Sequence, residues 1–452
     1  MAIKMQVDSS IFKAYDIRGV YGKNLNEDIA GAIGQAFIVV VKPESVIIGR
    51  DTRISSPALH KALIESFIES GVDVIDIGMV SSDMFYYSCA LKELPGIMIT
   101  ASHNPKEYNG FKMVRKIPYL LSGEEGIQDI KKIVEEDKFQ IKENKGRTEN
   151  FNVMPLFINK MLSLANVKNF RKMKIVIDTG NGMVGPSINE LFKKIPQIEI
   201  IPMYFEPDGN FPNHGGDPLK DENRKELQER VLSEKADMGF AFDTDGDRFF
   251  CIDSKGRFIP GDFMTAILSS YFLNKYPEES IVYDIRASKA VKDTIEKQGG
   301  KAIVNRVGHA YIKKRMSEEN AIFAGEVSGH YYFKDFYFCD SGIAPMIYLL
   351  DYLNKENLDK IVEHYMKNYF VSGEINNKVK DAHIIMERIK EKYAPEADII
   401  LSIDGLSIEN ENWRFNLRTS NTEPLLRLNL EASSQELMEA KKKEVLDFIK
   451  LF

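Results

Sequence analysis

VIIGRDTRISSPALHKALIESFIESG, residues 46–71, decides the fold. Val46, Ile47 and Ile48 make a short apolar run that ends in Gly49 and Asp51. A Ser-Ser-Pro turn follows, then a helical stretch from Ala58. A continuous apolar run bounded by turn residues predicts a buried strand, and the periodic stretch after it predicts the helix that covers it. The unit recurs: KIVIDTGNG (174–182) precedes a helix from about Gly185 to Lys194, and SIVYDIRASKAV (280–291) precedes one reaching about Lys297. Strands alternating with helices of about 10–15 residues imply βα units and mostly parallel sheets. Three such domains in tandem are expected, with weak internal repetition.

Near Tyr369–Ile375 the pattern changes. A helix at Ala382–Lys392, a hairpin at Ile399–Asn416, a strand at Leu425–Glu431 and a helix at Ser434–Ile449 predict a small α+β domain. The expected fold class is therefore α/β: three tandem βα domains with mostly parallel mixed sheets, plus a C-terminal α+β domain. EEDKFQIKENKGRTEN (135–150) is charged and weakly periodic, a linker or exposed elongated element. A turn at Asp253–Arg257 marks the start of a third unit. The expected domains are 1–148, 149–250, 251–367 and 368–452.

At 452 residues the chain is too long for one hydrophobic core; roughly three or four domains of about 100–150 residues each are expected. A net charge of −7 argues against nucleic acid or an anionic membrane as the main partner. Cys89, Cys251 and Cys339 are an odd count without CxxC spacing, which gives no disulfide framework and no zinc site; buried reduced thiols are expected. With no apolar leader in MAIKMQVDSS and no run of about 18 apolar residues, the expected location is cytoplasmic.

Four loops carry residues suited to chemistry. In MITASHNPKEYNGFK (98–112) an apolar strand delivers Ser102, followed by His103, Asn104 and Pro105, into a polar turn. The carboxyl edge of an α/β sheet is where backbone N–H groups and hydroxyls are exposed, so Ser102 is a candidate nucleophile or phosphate carrier; the plainer reading is a Ser turn capping the next element. In DMGFAFDTDGDRFFCID, Asp243, Asp245 and Asp247 follow the strand Met238–Phe242. Three carboxylates in five residues repel unless a cation or several donors neutralise them, and oxygen-only ligands select a hard cation such as Mg²⁺. Arg248 and Ser254 stand where an EF-hand needs Gly and Glu, which excludes that loop. FAGEVSGHYYF (323–333) places Glu326, Ser328 and His330 on one tight turn, a mixture of donors and acceptors suited to sugar hydroxyls or simply a polar hairpin tip. In NLRTSNTEPLLRL, Arg418, Ser420, Asn421 and Thr422 have the composition of a phosphate cradle or a capped turn. Tyr15, Arg18, Lys112 and His309 are weaker candidates, and PDGNFPNHGGDPLK (207–220) reads as an ordered functional loop or a mere connection.

Together these loops resemble the α-D-phosphohexomutases, in the bacterial phosphomannomutase/phosphoglucomutase branch. AYDIRG, TASHNP with YNGFK, PDGNFPNH, DTDGDR, GEVSGH and RTSNTEP occur in family order along the whole chain. The resemblance implies four domains around a central cleft, each giving one loop. It implies a phosphoserine at Ser102 and Mg²⁺ held by Asp243, Asp245, Asp247 and a phosphoserine oxygen. Glu326, Ser328 and His330 match the sugar loop, and Arg418, Ser420, Asn421 and Thr422 the phosphate loop. Tyr15, Arg18, His103, Lys112, Arg248 and His309 match positions lining the cleft. Departures are Thr244 where glycine is usual, Val327 where methionine is common, and Arg286 in a place often held by lysine.

The reaction so implied is reversible phosphoryl transfer between C1 and C6 of mannose or glucose phosphates. It runs through a hexose 1,6-bisphosphate, with glucose 1,6-bisphosphate as activator, in a monomer or homodimer. The alternatives are a phosphoglucosamine or N-acetylglucosamine-phosphate mutase and, in a different class, an aspartyl-phosphate sugar phosphatase with Asp243 as nucleophile. RTSNTEP favours the mannose/glucose branch, and the phosphatase reading leaves TASHNP unused.

Overall fold

The computed structural model describes residues 7–136, 144–419 and 425–452. The chain divides into two compact units, one of residues 1–259 and 328–356, the other of 260–327 and 357–452.

In the first unit, a seven-stranded sheet runs in the order Ile17–Val20, Tyr108–Lys116, Gly96–Ile99, Ser45–Arg50, Asp73–Met79 and Thr148–Asn150, with Tyr119–Leu120 added beside Tyr108–Lys116. Its four strands from Gly96–Ile99 to Thr148–Asn150 are parallel, as the repeated βα units require. Helices Glu27–Val41, Ser56–Glu69 and Gln128–Glu136 bury Ile29, Ile33, Phe37, Leu59, Leu63, Phe67, Ile130 and Val134 in one apolar core with the sheet. Asn26 starts the first of them by accepting the Ile29 N–H at 3.0 Å, one of the donors a helix leaves unpaired at its N-terminus. A second sheet runs Phe258–Ile259, Phe249–Asp253, Met238–Phe242, Met173–Asp178, Ile198–Met203, its last three strands parallel. Tyr331–Phe333 and Cys339–Asp340 pair antiparallel before the helix Ile343–Tyr352.

In the second unit Ser280–Asp284 lies parallel to both Lys301–Asn305 and Phe323–Gly325, with helices Gly261–Lys275, Lys289–Lys297 and His309–Glu318. The C-terminal part is an antiparallel sheet, Phe370–Lys378, Leu425–Ala432, Trp413–Thr419, Leu406–Glu409, Ile399–Leu401, with helices Ala382–Tyr393 and Gln435–Ile449 over its core. Three α/β portions and a C-terminal α+β portion are thus the architecture expected from the sequence.

At the end of the charged segment 135–150, Thr148–Asn150 is an exposed edge strand on Asp73–Met79, the elongated element offered there beside a linker, and the helix Gln128–Glu136 reaches the segment's start. Two details differ from the sequence reading. The turn at 253–257 opens no new unit; it joins Phe249–Asp253 to Phe258–Ile259, both on the second sheet. The residues after the Ser102 turn form a nine-residue antiparallel strand, Tyr108–Lys116. Six of its successive residues, Asn109–Val114, are buried on both faces, so the alternation that announces a strand is missing. The three cysteines are buried thiols, and no helix of the described residues is long and apolar enough to cross a membrane.

Candidate active site

In both mixed sheets of the first unit a chemistry-bearing loop follows the end of a strand with a parallel partner, Ser102 after Gly96–Ile99 and the aspartates after Met238–Phe242, the edge at which α/β proteins gather backbone donors. Gly96–Ile99 ends at Thr100, whose Oγ1 accepts the Ser102 N–H at 2.9 Å. Ser102 itself has φ +47°, a left-handed conformation unusual for a residue with a Cβ. That twist aims its buried Oγ away from its own strand, to donate to Asp243 Oδ2 at 2.8 Å, with His103 Nδ1 3.2 Å away.

Asp243 is the first residue after Met238–Phe242. The loop turns back through Gly246 at φ +76°, and Met183 N–H holds Thr244 O at 2.8 Å. All three aspartates are buried, and ligand-type oxygens from Asp243, Asp245 and Asp247 lie within 4.8 Å of one another. The charge is partly balanced by Lys112, reaching across from Tyr108–Lys116 to Asp245 Oδ2 at 2.7 Å, to Asp247, and to Ser82 Oγ at 3.2 Å. Burial pushes the Asp243 carboxyl well above the usual range, and the neighbouring Asp245 and Asp247 charges push it further. Burial opposes the charged form of Asp245 and Asp247 as well, yet the Lys112 ammonium holds both below the usual range. For Lys112 the same pairs outweigh burial and raise it, so it stays a cation.

The donor set suits a hard divalent cation. It is oxygen-only, and Asp245 Oδ1 is buried without a hydrogen-bond partner among the described residues. Arg248 N–H donates to Asp243 Oδ1 at 3.2 Å and its guanidinium Nε stands 3.6 Å from Oδ2. Arg248 also bridges backbone to backbone with His330, whose Nε2 is 3.5 Å from Asp247 Oδ1 and whose Nδ1 is 3.1 Å from Ser328 Oγ. Arg18 donates to Asp16 at 2.7 Å, to Ala101 O at 3.2 Å and to the Asn104 side chain. Burial, reinforced by Arg248 and Arg18, holds the His103 imidazole well below its ordinary value, and so neutral. Tyr15 is half-buried on the turn before Ile17–Val20.

The structure therefore brings Ser102, His103, Arg18, Lys112, the three aspartates, Arg248, Ser328 and His330 into one unit. The GEVSGH loop is divided between units: Glu326 belongs to the second, where its buried carboxylate accepts the Gly308 N–H at 2.9 Å. His309 is the first residue of the helix beginning there. Nearby in chain, Arg286 clamps Asp284 with 2.9 and 3.0 Å bonds. Arg286, Arg418 and Arg427 all face Glu374, at 3.7, 3.0 and 3.4 Å, and after burial's opposing effect they hold its carboxyl below the usual range. Ser420, Asn421 and Thr422 lie outside the described residues.

Sequence reasoning missed several contributors. Ser82 donates to Asp245 Oδ2 at 2.6 Å, and Asp83 behind it accepts from Ser81 and, at 2.7 Å, from Ser341 Oγ. Burial pushes the Asp83 carboxyl up to about 7. Asp340 lies buried beside Asp247 and His330. For Ser82 and Asp83 the sequence signal was a polar cluster, Ser81-Ser82-Asp83, at the start of the helix Ser82–Lys92.

The 207–220 loop is pinned by His214, whose Nε2 is 3.0 Å from Asp178 Oδ2, the last residue of Met173–Asp178. Burial alone would lower the His214 value; the Asp178 hydrogen bond and charge outweigh it and raise it. The stabilisation is therefore complete below the unfolded value of about 6.5 and is lost as pH rises through the raised folded value. His214→Gln is expected to flatten that part of a melting-temperature-against-pH curve; an unchanged curve would show the pair to be idle.

The family models for phosphoglucomutase/phosphomannomutase match the chain in four stretches: alpha/beta/alpha domain I at 9–141, domain II at 155–256, domain III at 260–369 and the C-terminal domain at 374–448. The chain is 40% identical over 448 residues to a phosphomannomutase of Escherichia coli (strain K12), covering 97% of this chain and 98% of that one. It is 37% identical over 443 residues to phosphohexose mutases of Xanthomonas campestris pv. campestris (strain B100), with 97% and 99% covered. Among solved structures, a phosphoglucomutase/phosphomannomutase family protein from Burkholderia thailandensis superposes with a TM-score of 0.89 at 32% identity, covering 99% of this chain and 98% of that one.

Proposed function

The chain belongs to the phosphoglucomutase/phosphomannomutase family of α-D-phosphohexomutases and is a phosphohexomutase enzyme, and from that premise we propose that it interconverts the 1- and 6-phosphates of mannose and glucose through a phosphoserine at Ser102. The reading rests on one observation: a strand-end hydroxyl from the first sheet meets, at 2.8 Å, a carboxylate loop from the second, whose Asp245 takes a buried ammonium at 2.7 Å.

A sugar hydroxyl attacks the phosphorus of phosphoserine 102, the phosphorus–Oγ bond breaks, and the hydroxyl proton leaves to a nearby acceptor while Ser102 Oγ regains one. The product is a hexose 1,6-bisphosphate, which turns over and returns its other phosphate to Ser102. Asp243, Asp245, Asp247 and a phosphoserine oxygen would hold Mg²⁺, which when bound neutralises phosphoryl oxygens. Lys112, Arg18 and Arg248 supply fixed positive charge where such transfers need electrostatic stabilisation. His309 is the candidate proton carrier. Tyr15, His103, Glu326, Ser328 and His330 are assigned to the sugar, and Arg418, Ser420, Asn421 and Thr422 to the phosphate that is not reacting.

The test is a set of coupled assays with mannose, glucose, glucosamine and N-acetylglucosamine 1-phosphates, with and without glucose 1,6-bisphosphate, on the natural enzyme and on Arg418→Ala. Mannose and glucose phosphates are expected to turn over best and to need the bisphosphate. Since the non-reacting phosphate is common to both sugars, losing the arginine fork costs about 1.5–3 kcal/mol for each alike. An Arg418→Ala enzyme that loses one sugar and keeps the other would refute that assignment.

A further inference from the structure

One arginine with no place in the chemistry above spends both of its terminal amino groups on the serine loop. Arg53 is fully buried. Its Nη2 donates to Ser102 O at 2.6 Å and Asn104 O at 2.7 Å, its Nη1 to Pro105 O at 2.7 Å and Tyr108 O at 3.1 Å, and its Nε to Asp51 Oδ2 at 3.1 Å. A guanidinium offers five N–H donors in a rigid plane, and here the plane ties the carbonyls of residues 102–108 to one point. Asp51 is fixed in turn: its Oδ1 accepts the Arg53 N–H at 3.0 Å and Ser56 Oγ at 2.6 Å.

The PDGNFPNH stretch closes over this clamp. Phe211 places its ring 5.4 Å from the Arg53 guanidinium carbon. Gly209 lies so close that a Cβ there would fall 2.4 Å from Thr52 O and 2.7 Å from Ile54 N, contacts a larger residue could make only by lifting the loop away. Beneath it, Ser102 keeps the left-handed backbone that aims Oγ at Asp243. Such a conformation in a non-glycine residue persists only where its surroundings over-determine it.

We propose that Arg53 is a positioning residue for the phosphoryl-carrying serine, and that the 207–213 loop seals the clamp. The proposal rests on the mutase reading, since it assigns Arg53's effect to Ser102's transfer step. Lysine has three donors on a flexible stem and cannot reproduce a planar five-way contact. Arg53→Lys is therefore expected to lower kcat about 100-fold, the cost of a reacting atom displaced by about 1 Å, while KM for hexose 1-phosphate stays within about threefold. Amide hydrogen exchange in peptides covering 101–110 is expected to quicken at least about tenfold, with the remainder of the chain unchanged.

A folded Arg53→Lys enzyme with natural kcat and natural exchange in 101–110 overturns the proposal. So does exchange that quickens everywhere while kcat per folded molecule is kept, which would make Arg53 an ordinary core residue. If Arg53→Lys does not fold, Phe211→Ala carries the test, because it leaves all five hydrogen bonds in place and opens only the seal. A partial fall in kcat with faster exchange confined to 101–110 supports the clamp, and an unchanged enzyme overturns it. Natural enzyme assayed in parallel separates the two claims. If it interconverts no hexose phosphate the mutase reading falls, and the clamp is judged by exchange alone.

Discussion

Ser102→Ala is expected to lower kcat for hexose-phosphate interconversion by about 10⁴-fold or more, because covalent catalysis has no route around its nucleophile. The fold is expected to survive. What holds the loop is backbone: Thr100 Oγ1 accepts the Ser102 N–H, and Arg53 grips the Ser102 carbonyl. Neither contact involves the hydroxyl. Alanine carries the same Cβ into the left-handed conformation, so the strain is unchanged. Asp243 loses one donor and keeps the Arg248 N–H at 3.2 Å. The measurement pairs a coupled assay with phosphopeptide mapping after incubation with glucose 1,6-bisphosphate. Natural enzyme is expected to carry acid-stable phosphate on Ser102, and the variant none. A hydroxylamine-labile phosphate on Asp243 would replace the serine mechanism with an aspartyl-phosphate one.

How far the sequence could lead is decided by the range of each interaction. Short parallel strands ending in aspartate and glycine announce themselves locally, so Met238–Phe242 was readable to the residue. Tyr108–Lys116 was not, because a strand buried on both faces loses its alternation, and with it went the reason Lys112 reaches the aspartates. Ser102 and the DTDGDR loop stood out by composition. Their meeting across 141 residues of chain was implied only by the family resemblance, since nothing local encodes a hydrogen bond between two sheets. Arg53 shows the same limit more sharply. In GRDTR nothing local marks it out, yet it is among the largest fully buried side chains of the described residues. Its partners are main-chain carbonyls, which carry no sequence signature at all. The 207–220 stretch was recognisable as unusual, but its purpose depends on what it covers.

Asp245→Asn tests the other half of the centre, and its effects are expected to differ in sign with and without metal. Asp245 Oδ2 accepts from Ser82 Oγ and Lys112 Nζ, while Oδ1 is buried with no protein hydrogen bond among the described residues. An unpaired buried carboxylate oxygen among two further carboxylates destabilises a protein unless something cationic takes it up. Asparagine keeps the shape and removes one negative charge. Without Mg²⁺ the three-way repulsion falls, so the melting temperature is expected to hold or rise, even though Lys112 retains only Asp247 as its close carboxylate. With Mg²⁺ the natural enzyme gains stability by preferential binding to the folded state, about 2.7 kcal/mol at a hundredfold excess over Kd. The variant is expected to lose most of that gain. Activity at limiting Mg²⁺ is expected to fall about 100-fold and to recover in part at high Mg²⁺, as a weakened ligand set would. Melting curves across a Mg²⁺ titration, read beside the coupled assay, separate these terms. Were Asp245→Asn to show the natural enzyme's Mg²⁺ dependence in both, Asp245 would be serving Lys112 and Ser82 alone, and the cation would have to be held without it.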